Sequence, residues 1–598
     1  MPVLIILLLP VVGFGINTTL HPKDIEYSFT VTMENPSTHY FHVEMSCTGQ
    51  SDEKVDFKMP VWTPGYYKIQ NLSKYVSNFD ARNEKGNQLP FAKTAKNCWR
   101  VTTKDEKRVI ISYDVYAPEL AVFESYLGAD QAFISPVGVF MFPDGKIDQP
   151  VLVHLKPFRS WKNISTGLDK VDDQPNTYFA SNFDVLFDCP ILIGNHQVIN
   201  FLVKGIPHSL AVSASDTLDK STFIADLTKM VETATSMMGE IPYTHYTFLT
   251  IGSFGGGLEH GNSCALSCSG AVADTLNKAE YKKWLSFVTH EYFHLYNVKS
   301  IRPIALGPFD YERECYTNML WVSEGFTVYY EYLILNRAGI LTSGECLKNF
   351  AENIAAYENC PGHWLESATS SSFDAWIHFF DRSGDSWNNT ISYYDKGCAL
   401  GILLDMKIRN VTQSQRSLDD VMRGLYHTYY KELKRGFTDE EFKQQCEKVA
   451  GTSLDEIFHY AASVDPIDYP SYFQLAGLSI DTIATVSDDG VYFGASLRDD
   501  GENSILYNVE RNSPVWNAGV GNGDELLTVE GQKADNKTFK SLLKTKKPGE
   551  KLHLTLKRGG ARWSVDVVLL PPIKKSFEIT PMKNASLKQK SVLESWLK

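Results

Sequence analysis

His290-Glu291-Tyr292-Phe293-His294, with Trp321-Val322-Ser323-Glu324-Gly325-Phe326 further along, organises the chain. On an α-helix, positions i and i+4 share a face, so imidazoles at 290 and 294 can bind one metal ion. Glu291 then stands beside that ion, where a carboxylate can take a proton from bound water. Apolar residues at Tyr281, Trp284, Leu285, Val288, Tyr292 and Leu295 predict an amphipathic helix around the motif. A catalytic metal site needs a third protein ligand and an open position. Glu312, Glu314 and Glu324 are the acidic candidates downstream, and spacing alone leaves them open.

Outward from that motif the texture changes twice. Residues 17–215 alternate apolar and polar (YSFTVTM, RVIISYDVYA, HQVINFLV), punctuated by turns such as Asn35-Pro36 and Pro64-Gly65. This predicts an all-β N-terminal domain, a sandwich. Residues 216–470 carry apolar residues at three- and four-residue spacing, which predicts a mostly helical catalytic domain. Strands return over 471–572, and a basic tail at 573–598 reads as one short amphipathic helix.

The whole chain has 598 residues, enough for several domains, and 58 Lys+Arg against 71 Asp+Glu give a net charge of −13. Without a long basic block, nucleic acid is excluded as the main partner. Residues 3–12, VLIILLLPVV, are too short to span a membrane and suit a secretory signal, although no Lys or Arg precedes them. We therefore expect a signal peptide at 1–16 and an exported protein. The ten scattered cysteines fit either disulfides or buried thiols.

Three further motifs carry a family resemblance. Gly255-Gly256-Gly257-Leu258-Glu259-His260 resembles the G-x-M-E-N strand of zinc aminopeptidases, with Leu258 for Met and His260 for Asn. That likeness implies that Glu259 binds the substrate's free α-amino group and that Gly256 and Gly257 let substrate backbone approach. Trp321 to Phe326 resembles the W-x-x-E-G-F helix that supplies the third zinc ligand in gluzincin aminopeptidases, which favours Glu324. Glu314 stands at the thermolysin-like spacing, whereas the usual aminopeptidase spacing lands on Arg313, which cannot bind zinc. Tyr393-Tyr394-Asp395-Lys396-Gly397 resembles Y-x-K-G, and matching it residue by residue makes Tyr394 the hydrogen-bond donor to the oxyanion. The usual Asp five residues before the third ligand is replaced by Met319, so a histidine's supporting partner must come from elsewhere.

Residues 513–531, SPVWNAGVGNGDELLTVEG, resemble a PDZ domain, with 537–544 as its groove helix and Tyr492-Phe493-Gly494 as a candidate carboxylate loop for a peptide C-terminus. As a whole the chain resembles the glycyl aminopeptidase family, on MPVWTPGYY (59–67), HEYFHLYNVKSIRPIALGPFDYERE (290–314) and WVSEGFTVYYE. In that family the longer connector before Glu324 is normal. The resemblance implies an all-β domain, a thermolysin-like catalytic domain with one zinc ion on His290, His294 and Glu324, and an appended PDZ domain. It implies removal of small N-terminal residues, Gly then Ala, from peptides with a free N-terminus. An endopeptidase on the same zinc chemistry is one alternative. A catalytically silent PDZ-containing binding protein is the other, and the intact Glu291 counts against it.

Overall fold

The computed structural model describes residues 25–49, 51–212, 219–252, 256–268, 278–486, 490–501 and 503–598. The expected signal peptide and Gly255 lie outside them.

Alternation in the N-terminal third does what period-two patterning demands. Strand Tyr27–Thr32 buries every second residue between Tyr40–Thr48, antiparallel, and Val151–Lys156, parallel. Phe29, Val31, Phe41, Met45 and Ile111 are solvent-free in its core. The domain is all-β as expected, but among the described residues it has three sheets, of seven, five and four strands, rather than the two of a sandwich. The five-stranded sheet does a separate job: Val122, Phe133 and Leu192 pack against Leu249, Ile251, Leu258 and Ala265 of the catalytic domain.

The expected boundary at 215 is also corrected. Strands Gln197–Val203 and Ile206–Val212 belong to the next domain, because Ile206–Val212 pairs in parallel with Tyr246–Gly252. Alternation identifies a strand but not the sheet it joins. The helix Lys220–Met238 makes the crossover between those parallel strands. The same sheet then carries Ser263–Ser267 and, at its edge, Gly257–Glu259.

Three helices position the chemistry. Lys278–Phe293 carries the HExxH motif. Gly325–Arg337 follows a short helical turn, Leu320–Ser323, with Glu324 at the junction. Tyr393–Val411 begins with the two tyrosines. The second and third cross backbone to backbone. A Cβ on Gly325 would run into Gly397, and one on Gly397 into the Trp321 carbonyl oxygen.

The PDZ-like domain stands on a stalk. Leu478–Ile480 pairs with Ile579–Pro581, and Ala484–Val486 with Ile573–Lys575, so its two ends leave and re-enter the catalytic domain side by side. The tail expected as a separate 573–598 segment is instead part of that domain. Its helix, Leu587–Leu597, buries Trp596, which stacks on Phe350 with centroids 5.5 Å apart and donates to the Tyr329 hydroxyl at 2.8 Å. Arg409 and Arg337 donate to the carbonyls of Ser595 and Trp596 at that helix's end. Cys47, Cys264 and Cys398 are among the buried free thiols. No helix among the described residues is long and apolar enough to cross a membrane.

Gly397→Ala tests the helix crossing. Overpacking of this kind costs about 1–3 kcal/mol, so denaturant unfolding should show a loss of that size, with metal affinity falling as Glu324 is displaced.

Candidate active site

The histidines and Glu324 meet as the spacing predicts. The imidazole of His290 crosses that of His294 at 85°, with ring centroids 4.6 Å apart. Glu324 Oε2 lies 3.1 Å from His294 Nε2 and 3.5 Å from His290 Nε2. Tetrahedral zinc ligands at 2.0–2.2 Å from the ion stand roughly 3.3–3.6 Å apart, so this donor set fits zinc. Among the described residues Glu312 and Glu314 join no such cluster, and Glu312 instead accepts from Lys58 at 2.8 Å.

The hydrogen bonds also set the tautomers. His290 Nδ1 lies 2.8 Å from Glu331 Oε2, and His294 Nδ1 lies 2.7 Å from the Asn297 carbonyl. Carboxylates and carbonyls only accept, so both Nδ1 atoms carry hydrogen and both Nε2 lone pairs face Glu324. Glu331 is thus the partner that Met319 cannot be. It stands seven residues after Glu324, two turns along the same helix face. Sequence reading passed over it, although its place in WVSEGFTVYYE was the available signal.

Burial alone would raise the Glu324 carboxyl, but the two imidazoles beside it hold it below the ordinary range. Glu291, buried and flanked by Glu259 and Glu324, is pushed up by desolvation. Glu259, Glu291 and His294 each place one ligand atom within 4.8 Å of the others. Glu259 is 4% exposed, and its Oε1, like Glu291 Oε2, lacks a hydrogen-bond partner among the described residues.

The cleft around these groups is closed by contributions from elsewhere in the chain. Gly65, from the MPVWTPGYY stretch, has φ +92°, and a Cβ there would stand 2.7 Å from both Glu259 oxygens. Gly257 is equally constrained: a Cβ would meet Glu291 Oε1 at 2.5 Å. Gly256, at φ +90°, lines the same cleft. Tyr66 stacks on Phe123 at 4.0 Å and meets Phe380 at 4.7 Å, forming an aromatic wall that sequence reading did not anticipate. Tyr394 lines the cleft over His290, with centroids 6.1 Å apart. Its neighbour Tyr393 is fully buried and packs on Phe379.

Residues 28–195 match the Peptidase M61 N-terminal domain, 283–400 the M61 glycyl aminopeptidase and 491–569 a PDZ domain. The chain's N-terminal and catalytic domains thus match the two domains of the M61 glycyl aminopeptidase family. Its reaction class is therefore that of an aminopeptidase. A crystal structure of an aminopeptidase N family protein from Idiomarina loihiensis is 29% identical with a TM-score of 0.87, over 96% of this chain and 100% of its own. An M1 zinc metallopeptidase from Deinococcus radiodurans is 13% identical with a TM-score of 0.48, over 75% of this chain and 95% of its own. A search of curated proteins finds no match.

The lysine of the Y-x-K-G motif is structural. Lys396 is solvent-free, donates to the Ser463 carbonyl at 2.8 Å and lies 5.2 Å from the Tyr357 ring centre. Burial pulls its ammonium down to about 8. Between pH 8 and its ordinary value of 10.5, the unfolded chain therefore holds the extra proton, and stability rises with pH. Denaturant melts across that window should show a rise of up to ~1.4 kcal/mol per pH unit, absent in Lys396→Met. Glu331→Gln should weaken metal binding by about 10–100-fold, read by competition with a fluorescent chelator.

Proposed function

We propose that this enzyme is a zinc aminopeptidase that removes small N-terminal residues, glycine first and alanine next. The observation that carries the reading is Glu259: a buried carboxylate with an unpartnered oxygen, placed against Glu291 and His294. A buried anion without a partner is costly, and a substrate ammonium relieves that cost. A peptide whose α-amine sits there presents its first carbonyl carbon to the space between Glu291 and Tyr394. The wall of Tyr66, Phe123 and Phe380 lines the cleft in which the first side chain would lie.

His290, His294 and Glu324 would hold one zinc ion, which when bound supplies Lewis acidity and lowers the pKa of water to about 7. Glu291, desolvated beside them, takes the proton from the attacking water and returns it to the leaving amine. The Tyr394 hydroxyl donates to the oxygen that gains charge as the carbonyl becomes tetrahedral. Glu259 keeps the ammonium fixed throughout. The apolar run at 3–12 supports an exported enzyme, and the 492–494 loop a PDZ groove that takes peptide C-termini.

Hydrolysis of Gly-, Ala- and Leu-arylamides tests the reading, with zinc measured alongside. Glycine and alanine substrates should be cleaved well and leucine poorly. Glu291→Gln should lose roughly 10²–10⁴-fold in kcat and Tyr394→Phe about 10²–10³-fold, both retaining zinc. N-acetylated glycine arylamide should resist cleavage; its hydrolysis at the same rate would establish an endopeptidase, with Glu259 structural.

A further inference from the structure

Residues 378–394 face the cleft at both ends and the PDZ domain in the middle. At one end Phe379 stacks on the Tyr394 ring, with centroids 5.2 Å apart at 25°, and Phe380 lines the cleft. At the other end Tyr394 itself lies in the first turn of its helix, capped by Ser392. Between them Ser386–Asn389 forms one isolated helical turn. A turn that short has no stability of its own, because nucleation costs more than one hydrogen bond returns.

Its C-terminal end is tied to the catalytic domain, where Ile391 N donates to Glu366 at 2.7 Å and Cys360 Sγ to the Thr390 carbonyl at 3.3 Å; its middle is held from the PDZ domain. Asn388 is 3% exposed; its Nδ2 donates to the Val509 carbonyl at 2.8 Å and its Oδ1 accepts from the Arg511 backbone N–H at 2.9 Å. Arg511 also reaches Asp385 Oδ2 at 2.6 Å, an exposed ion pair that adds little. The two Asn388 bonds matter more, since they fix a buried side chain to main-chain groups in one geometry, whereas the exposed pair is screened by water. The same PDZ loop is tied to the candidate carboxylate loop. Glu510 N donates to the Gly494 carbonyl at 2.8 Å, and its carboxylate accepts from the Tyr492 hydroxyl.

We propose that the PDZ domain is a positioning element for catalysis: its 509–511 loop, through Asn388, holds the 385–391 strap that aligns Phe379, Phe380 and Tyr394. The proposal rests on the role assigned to Tyr394 above. Alignment at the reacting carbonyl is sensitive, since a displacement of about 1 Å costs on the order of 10²-fold in rate. The stalk permits a direct test. Val486 and Ile573 are register partners, so residues 487–572 can be replaced by an Asn-Gly turn that leaves the tail helix in place.

The experiment is a double-mutant cycle between Asn388→Ala and this excision, on Ala-arylamide, a substrate too short to reach the PDZ groove. Each change should lower kcat about tenfold, with KM within about twofold and zinc content unchanged, and the combination should be no worse than either alone. Multiplying losses, an unchanged kcat after excision, or a rise in KM alone would overturn the proposal. If the excised chain fails to fold, the full-length variant Arg511→Pro, which removes the N–H that Asn388 Oδ1 accepts, takes its place in the cycle. A wild type inert on arylamides would sink the proposed function instead. Hydrogen exchange at 385–394 then decides the positioning role: acceleration in Asn388→Ala supports it, and an unchanged rate overturns it.

Discussion

The active site depends on a contact between two glycines. Gly325 directly follows Glu324, and Gly397 comes three residues after Tyr394, so the closest approach of the two helices lies one turn or less from both groups. Side chains at either position would force the axes apart toward the usual interhelical distance of about 8–10 Å. Glu324 would then draw away from the imidazoles. The crossing thus converts two separate helix starts into one rigid corner, and a packing constraint sets the position of the chemistry.

That corner gathers carboxylates in a dry place. Glu259, Glu291, Glu324 and Glu331 are all buried within reach of the same two histidines. Burying four acids together is unfavourable unless positive charge compensates them, and two compensations suggest themselves: a divalent metal ion and a substrate ammonium. Their environments separate their roles. Glu324 is held below the ordinary carboxyl range by the imidazoles, whereas desolvation raises Glu291 and Glu331. A group poised upward suits proton transfer, and one held downward suits a ligand.

Each part of the chain contributes to the cleft. The N-terminal domain brings Gly65 against Glu259 and supplies the stacked Tyr66 and Phe123, while its five-stranded sheet seals the junction through an apolar cluster. The tail helix, more than 250 residues from Tyr329 in sequence, braces the helix that follows Glu324. The PDZ domain, hung on paired strands, returns to grip the strap before Tyr394. The site is therefore assembled from long-range contacts around a short-range motif.

What was legible in the sequence was local. Two histidines four residues apart, with an apolar stripe beside them, specify one helix face whatever surrounds it, because helical periodicity is a property of the backbone. Alternation over 27–32 and 108–116 likewise specified strands. The same alternation over 197–212 could not say which sheet would take it, and the boundary was misplaced for that reason. Glu331 was visible as a residue but not as the partner of His290, since that depends on where two helices cross. Gly65 was legible as a turn residue but not as the wall against Glu259, and Phe123, Trp596 and Asn388 carried no local signal at all. Their roles arise from contacts that chain direction and spacing do not encode, and only tertiary packing, which decides which surfaces exclude water together, could assign them.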